Sequence, residues 1–236
     1  MDPETAFTYS NLSGRPPGPI VSALAKVSSG VRSVQEQVEP YAHAWQEHNR
    51  GAVGEVAAGR PWWAVLGDSM SQGIGASAHD RGWVGRLAPQ VGLPSVNLSF
   101  NGARIADVLE RQLPAMEDLA AQHRSPAALV TLMIGNNDMI SRRWRREIPR
   151  AMRDLLLRIP RGTVVATQPA AHGAALTVNE AIDEIAATGR IQVAEFRVPH
   201  MRSWRGWVAA DRFHPNDEGY AAMAEVMAGA VAGPWS

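Results

Sequence analysis

The feature of this chain that most constrains its fold is a regular alternation, after Gly59, of short apolar runs with stretches of helical periodicity. The apolar runs occupy residues 62–66, 94–98, 128–134, 163–167 and 191–194, and the helical stretches occupy residues 83–87, 105–122, 142–157, 176–187 and 216–232. A run such as residues 127–134, apolar at nearly every position, suits a strand buried on both faces. The alternation predicts an α/β domain with a five-stranded parallel sheet, whose ligand lies beyond the carboxyl ends of the strands.

The segment before this domain has a different pattern. Residues 1–18 are rich in Pro, Gly, Ser and Thr and are expected to form a flexible lead-in. Between residues 20 and 45, apolar side chains recur at alternating steps of four and three, which predicts one apolar stripe on a helix. Pro40 is expected to end or kink that helix near Val38. We therefore divide the chain into a lead-in (1–18), an N-terminal helical extension (19–58) and the α/β domain (59–236).

The apolar stripe of residues 20–45 can dock on its own domain, or it can form the seam of a homodimer. Gly30 weakens the helix, and the stripe is short for a coiled coil, so docking is favoured. A homodimer through this region stays an alternative.

Charge and composition exclude several classes of partner. The formal net charge is +0 and the pI about 7.1, so no basic surface for nucleic acid or a membrane is indicated. The arginines of residues 142–153 are interrupted by Glu147 and fit a solvated helix face. No stretch approaches 18 apolar residues, and no apolar leader opens the chain. We expect a soluble cytoplasmic protein that acts on a small molecule, without stable insertion into a membrane.

No cofactor or metal is indicated by the remaining motifs. Cysteine is absent, which excludes a thiolate nucleophile and a Cys-type zinc site. His79, His123, His172 and His200 have no second ligand at metal spacing. The stretch 73–78 formally fits a dinucleotide fingerprint, but it does not follow a strand directly, and no acidic residue follows at the usual distance.

Candidate catalytic residues stand at the ends of the predicted strands. Ser69 follows the first strand within Gly67-Asp68-Ser69, where a turn would expose its hydroxyl. A serine hydroxyl needs a base and an orienting carboxylate to become nucleophilic. Asp211 and His214 lie three residues apart before the last helix, a spacing that lets the carboxylate hold one ring nitrogen while the other faces the serine.

Donors for a tetrahedral oxyanion follow two other strands. The second strand leads into residues 99–102, and the third leads into residues 135–138, which include Asn137. Such donors are needed in acyl transfer, because losing one commonly costs about 2.7–4 kcal/mol of barrier. Asp68 and Asp138 are expected to shape the turns rather than to take part in the chemistry.

These four segments, in this order, resemble the conserved blocks of the SGNH or GDSL hydrolases, a flavodoxin-like α/β/α group of esterases, lipases, thioesterases and carbohydrate deacetylases. The resemblance covers about residues 62–232. It implies that Ser69 is the nucleophile and first oxyanion donor, that Gly102 and Asn137 are the other donors, and that His214 is the base held by Asp211. Met70 and Asn101 depart from the usual pattern and bear on substrate preference.

The resemblance implies a serine esterase that forms an acyl-enzyme, with small acyl esters as the expected substrates. A free histidine titrates near pH 6.5, so activity should fall as the pH drops. Within the family, a carbohydrate O-deacetylase, a thioesterase or a lysophospholipase stays open. Outside it, an α/β-hydrolase is disfavoured because Ser71 stands where Gly-x-Ser-x-Gly needs glycine. A flavodoxin-like binding module without catalysis is the alternative of a different class.

Overall fold

The protein contains a five-stranded parallel sheet with the strand order β2-β1-β3-β4-β5. The computed structural model describes residues 7–140, 144–170 and 173–231. The strands are β1 (Trp63–Gly67), β2 (Ser95–Asn97), β3 (Leu129–Met133), β4 (Val164–Ala166) and β5 (Gln192–Ala194). Each lies within one residue of a run predicted from the sequence, and the order is the flavodoxin-like one. The fold class is confirmed.

Eleven α-helices accompany the sheet within the described residues. They are α1 (Pro19–Val27), α2 (Ser29–Gln35), α3 (Val38–Ala57), α4 (Ser69–Gln72), α5 (Trp83–Val91), α6 (Ile105–Asp107), α7 (Leu113–His123), α8 (Asn136–Ile140), α9 (Ile148–Arg158), α10 (Ala174–Ala186) and α11 (Asp217–Ala230). The helix expected over residues 142–157 begins only at Ile148, and Arg142 and Arg143 lie outside the described residues, as does residue 232.

The stretch expected as one helix over residues 105–122 contains a π-helical turn, Val108–Gln112, between α6 and α7. Pro114 lies in the first turn of α7 and has no backbone N–H to donate to Glu110. The π-helical turn is wider than an α-helical one, and in it Leu113 N–H donates to the carbonyl of Val108. This geometry accommodates the hydrogen bond that Pro114 cannot donate to Glu110.

The side chains of β1 alternate between two hydrophobic layers, as the period of a strand requires. Ala64 and Leu66 belong to the layer that includes α7, α9 and α10. Trp63 and Val65 belong to the opposite layer, which includes α5 and α11. All five residues of β1 are buried, so both faces of the sheet are covered.

The N-terminal stripe forms three helices instead of one. Ser28 caps α2 by accepting a hydrogen bond from Val31 N–H, and the chain turns again before Val38. The expected break near Val38 is confirmed, because α2 ends at Gln35 and α3 begins at Val38; Pro40 lies in the first turn of α3, where its missing N–H would have no partner. Helix α3 then continues to Ala57.

Part of the stripe docks on its own domain. Val34 and Trp45 are buried, and the indole N–H of Trp45 donates to the carbonyl of Gln72 at 3.0 Å. Leu24 and Val27 on α1 are exposed, at 47% and 82% of their surface. Self-association through this region stays a prediction.

Helix α3 covers the open edge of β2 with polar side chains. Asn49 accepts a hydrogen bond from Asn97 N–H and donates to Asn97 O, both at 2.8 Å. His48 Nε2 lies 3.0 Å from Ser95 O. An unpaired strand edge is prone to pair with other chains, and here side-chain amides occupy the place of a sixth strand.

The lead-in is packed where the structure describes it. Asn11 is fully buried and donates to the carbonyls of Asn97 and Ser99, both at 2.8 Å. The expectation of a flexible segment is therefore wrong for residues 9–15, because their side chains bond the backbone that follows β2. Residues 1–6 lie outside the described part.

No helix among the described residues is long and apolar enough to cross a membrane.

Replacing Asn49 by Ala should destabilise the protein, because the N–H of Asn97 would lose its acceptor and the carbonyl of Asn97 would lose one of its two side-chain donors, keeping that from Asn11. The expected loss is about 1–3 kcal/mol in the free energy of unfolding, measured with urea. Glu47→Ala is the matched control, since Glu47 lies on the same helix with 73% of its side chain exposed. Equal stability of the two variants would contradict this account of the β2 edge.

Candidate active site

Ser69 begins α4 directly after β1, and the local sequence explains this sharp change of direction. Asp68 caps the helix by accepting a hydrogen bond from Met70 N–H at 3.0 Å. Gly73 ends it in the left-handed conformation, with φ +78°. Ser69 is thereby held at the carboxyl end of β1, with only 4% of its surface exposed.

Gly67 allows α4 to pack tightly against the end of the sheet. A Cβ atom at this position would lie 2.3 Å from Ser71 Oγ and 2.6 Å from Met133 O. Its backbone is held on both sides by Gln112, which accepts from Gly67 N–H and donates to Gly67 O, both at 2.8 Å. Gln112 is fully buried on the π-helical turn, and the sequence interpretation did not identify it.

His214 lies directly opposite Ser69. Its Nε2 is 3.0 Å from Ser69 Oγ, and its Nδ1 is 2.6 Å from Asp211 Oδ2. Both His214 and Asp211 are largely buried, with 7% of each side chain exposed. The structure therefore brings together the three residues that the sequence selected, across 145 positions between the serine and the histidine.

The turn that carries Asp211 and His214 is closed by hydrogen bonds among its own residues. Asp211 Oδ1 accepts hydrogen bonds from Phe213 N–H and His214 N–H, each at 3.0 Å. Arg212 adopts a positive φ of 59°, and Ala209 N–H donates to His214 O at 2.7 Å. The spacing of three residues places the carboxylate on the imidazole because the chain is folded back between them.

The pKa of Asp211 is lowered, so the group is an anion at neutral pH. Burial opposes its ionisation, but the hydrogen bonds and charge of His214 and the two backbone N–H groups outweigh it. An ionised carboxylate at Nδ1 fixes the ring so that Nε2 faces the serine without a proton.

The candidate oxyanion donors lie on two loops that contact each other. Ala103 N–H donates to Phe100 O, closing a turn with Gly102 at its third position and a φ of +76°. Asn137 Nδ2 donates to the carbonyl of Ala103 at 2.9 Å. Asn136 Nδ2 lies 3.4 Å from Met70 Sδ, which joins the same loop to α4.

Asn97, at the end of β2, connects these parts and was not identified from the sequence. Its Nδ2 donates to Ser71 O at 2.8 Å, and its Oδ1 accepts from Ser99 N–H at 3.0 Å. The side chain is fully buried. One amide therefore links α4 with the start of the loop that ends in Gly102.

Two buried carboxyls lie beside the site. Burial raises the pKa of Asp68 to about 7, with a further contribution from the charge of Asp138. Burial also raises the pKa of Asp138 to about 6, although Ile105 N–H donates to it at 3.2 Å. Asp68 Oδ2 has no donor among the residues that the structure describes. Asp68 caps α4, and Asp138 accepts from the first residue of α6; that neither takes part in the chemistry stays a prediction.

The glycines of the dinucleotide-like stretch 73–78 serve close packing around the site. A Cβ on Gly75 would lie 2.5 Å from Pro215 O and 2.7 Å from the Cβ of His214. Gln37, the residue directly before α3, bonds the same stretch through its side chain. It accepts a hydrogen bond from Gly75 N–H at 2.8 Å and donates one to Ala76 O at 3.2 Å. This stretch follows the short helix α4 rather than a strand, so it does not form a dinucleotide-binding turn.

Within residues 7–140, 144–170 and 173–231, no three histidine or acidic side chains are grouped so that they could hold a metal ion. His172 lies outside these residues.

With this geometry in place, the comparison with known families identifies the class. The chain belongs to the GDSL-like lipase/acylhydrolase family, whose model matches residues 65–222. The matched region contains Ser69, Gly102, Asn137, Asp211 and His214. The resemblance noted from the sequence is confirmed, and the family implies ester hydrolase or acyltransferase activity. No protein with a curated description matches the chain in sequence.

Solved structures share the fold at low sequence identity. TesA is 20% identical, with a TM-score of 0.53 over 70% of this chain and 94% of its own. The psychrotrophic esterase EstA from a Pseudoalteromonas species is 16% identical, with a TM-score of 0.53 over 71% and 94% of the two chains. The extracellular lipase from Streptomyces rimosus is 17% identical, with a TM-score of 0.51 over 72% and 100%. These similarities show a common SGNH hydrolase fold.

Replacing Gly75 by Ala should lower kcat by about tenfold or more, because the new methyl group would displace His214 from Ser69. Steady-state kinetics and a thermal unfolding curve are measured on the same sample. Gly59→Ala is the matched control: Gly59 also has a positive φ, +85°, but a Cβ there would meet no atom within 4 Å. An equal effect of both variants on kcat would contradict a role for close packing at His214.

Replacing Asp68 by Asn should raise stability at pH 8 but not at pH 4. In the unfolded chain the carboxyl has a pKa near 3.8, whereas in the folded protein its pKa is about 7. Well below pH 3.8 both states hold the proton, whereas between about pH 4 and pH 7 only the unfolded chain is ionised, so the stability of the folded protein falls across this window and levels off above pH 7. Asn retains the acceptor for Met70 N–H and removes this cost.

The expected gain at pH 8 is at least about 1 kcal/mol, or roughly 2–4 °C in Tm, measured by thermal unfolding from pH 4 to pH 8. Asp118→Asn, on the exposed side of α7, is the control. If Asp68→Asn and the unmodified protein differed in stability by the same amount at every pH, the buried charge would not be the cause of the difference.

Proposed function

We propose that this protein is a serine esterase that hydrolyses small acyl esters through Ser69, His214 and Asp211. The observation that carries the proposal is the unbroken relay of two hydrogen bonds, 3.0 Å from Ser69 Oγ to His214 Nε2 and 2.6 Å from His214 Nδ1 to Asp211 Oδ2. A buried serine, imidazole and ionised carboxylate in this arrangement make up the machinery of nucleophilic acyl transfer.

In the first half of the proposed reaction, Ser69 Oγ attacks the ester carbonyl carbon while His214 Nε2 takes the hydroxyl proton. The tetrahedral intermediate then collapses, the bond to the alcohol oxygen breaks, and His214 gives its proton to the leaving alcohol. In the second half, His214 removes a proton from water as the water oxygen attacks the acyl carbon. The bond to Ser69 Oγ then breaks, His214 returns the proton to this oxygen, and the carboxylic acid is released. Asp211 stabilises the imidazolium in both halves without taking its proton.

The negative charge on the tetrahedral oxygen is assigned to three donors: Ser69 N–H, Gly102 N–H and the side-chain amide of Asn137. Ser69 is the first residue of α4, so its N–H has no acceptor within the helix. The contact of Asn137 with Ala103 keeps the amide beside the Gly102 turn. Donors fixed before the reaction stabilise the developing charge without reorganisation.

Exposed apolar side chains beside two of the candidate catalytic segments support an ester of low polarity as the substrate. Phe213, next to the base, has 44% of its surface exposed, and its ring lies edge-on to the His214 ring at 4.9 Å. Ile140, at the end of α8 and close in sequence to Asn137, has 58% exposed. No long insertion separates the candidate catalytic segments, which favours short acyl groups over long ones.

The proposal is tested with p-nitrophenyl esters of increasing acyl length, comparing the unmodified protein with Ser69→Ala and Asp211→Asn. We expect Ser69→Ala to abolish turnover and Asp211→Asn to lower kcat by about 10⁴-fold, because the imidazole would lose its orientation and the partner of its positive charge. A fluorophosphonate followed by mass spectrometry should label Ser69. Asp118→Asn, remote from the site, should retain full activity.

The same measurements, extended to other substrates, distinguish a simple esterase from the other activities found in the family. Hydrolysis of acetylated sugars, acyl thioesters or lysophospholipids in preference to simple esters would assign the enzyme to one of those activities. A folded protein that neither hydrolyses any of these substrates nor reacts with the fluorophosphonate would refute the esterase and favour a binding module.

A further inference from the structure

The segment from Tyr9 to Arg15, which we call the N-terminal strap, lies outside the region matched by the family. Three of its side chains donate hydrogen bonds to the backbone between Asn97 and Gly102. Tyr9 Oη donates to Leu98 O at 2.6 Å, Asn11 Nδ2 donates to Asn97 O and Ser99 O at 2.8 Å each, and Arg15 Nη2 donates to Gly102 O at 3.2 Å. The strap thus holds the loop that leads into the Gly102 turn along its whole length.

The loop needs such support because Gly102 is intrinsically flexible. At φ +76° this glycine has no Cβ to restrict it, and a Cβ built there would meet no atom within 4 Å. Arg15 fixes the carbonyl side of Gly102 and at the same time pairs with Asp107 Oδ2 at 2.7 Å. Asp107 also accepts from Arg104 N–H at 2.8 Å, so the guanidinium joins both ends of the segment 102–107.

The strap is itself fixed to the nucleophile helix and to the π-helical turn. Gln72, buried on α4, donates through Nε2 to Asn11 O at 2.9 Å. Arg111 donates to the carbonyls of Leu12 and Ser13, and its guanidinium lies 4.2 Å from the centre of the Phe100 ring. The strap therefore connects the element that carries Ser69 with the loop that carries Gly102.

We propose that the N-terminal strap is a positioning device for the oxyanion site and that Arg15 is its principal positioning residue for Gly102 N–H. The proposal rests on the esterase function proposed above. Arg15 touches no reacting atom and acts through the Gly102 backbone. Its loss should therefore weaken transition-state stabilisation and leave the relay of Ser69, His214 and Asp211 intact.

The test uses Arg15→Ala, Tyr9→Phe and the double variant in the full chain. Arg15 has 42% of its side chain exposed, and Tyr9→Phe removes only the hydroxyl, so both variants should fold. For the double variant we expect kcat to fall at least fivefold and up to about 100-fold, with KM within about twofold. The apparent pKa of the kcat/KM profile should not change, because the strap does not contact the triad.

Hydrogen exchange gives a second readout that does not depend on activity. Amides of residues 98–104 should exchange faster in the double variant, whereas those of β3 should keep their rate. Arg50→Ala is the control, because Arg50 pairs with Glu47 on the exposed side of α3 and has no contact with the loop. It should reproduce the unmodified protein in kcat, KM and exchange.

A double variant that keeps full kcat would overturn the proposal, whatever its exchange rates. A loss of kcat accompanied by a shifted pH profile, or by faster exchange in β3 as well, would also overturn it, because the strap would then be a general structural element. Failure of the esterase proposal is distinguishable, since it would appear as an inactive and unlabelled protein before any strap variant is compared.

Discussion

The close approach of α4 to the end of β1 at Gly67 is the constraint on which the rest of the site depends. No side chain larger than hydrogen fits between Ser71 Oγ and Met133 O, and the amide of Gln112 holds both polar groups of this peptide segment. Ser69, two residues further on, is therefore held in a fixed position relative to the sheet. His214 reaches it from a turn that follows no strand of the sheet, so the relay forms only when α11 and its preceding turn have packed against α5 and the sheet.

Buried side-chain amides do much of the work that backbone pairing does elsewhere in the sheet. Asn49 substitutes for a neighbouring strand at the edge of β2, Asn97 joins α4 to the loop after β2, and Asn11 bonds that loop from the other side. Each of these groups is buried, and a buried amide without partners would be costly. The network therefore fixes a single arrangement of the β2 edge, the nucleophile helix and the Gly102 turn.

The N-terminal residues are part of the same architecture even though the family model begins only at residue 65. Helix α2 approaches the turn that carries Asp211 and His214 so closely that a Cβ on Gly30 would lie 2.3 Å from Ala210 O, next to Asp211. Gln37 and Tyr41 bond the stretch that packs on His214, with Tyr41 Oη donating to Ala76 O at 2.8 Å. The extension and the strap thus contact the site on two sides, one at the acid–imidazole turn and one at the oxyanion loop.

The amino-acid sequence by itself determined the strands, their parallel arrangement and the identity of the relay. Runs such as residues 128–134 can be satisfied only by burial on both faces, and the short motifs around Ser69, Asn137 and His214 are local in sequence. It also located most helices and the break near Val38, with an error over residues 105–122, where the π-helical turn before Pro114 interrupts the expected single helix.

Only the tertiary structure decided the role of residues 7–57 and of the supporting amides Asn11, Asn97 and Gln112. Their composition is that of loops and exposed helices, and nothing local distinguishes an asparagine that faces water from one that pairs with a distant backbone. Contacts across 86 or 88 positions, as between Asn11 and the loop after β2, form because chain folding brings the segments together. The physical reason is that burial of a polar side chain is a property of its partners, which the sequence pattern around it does not contain.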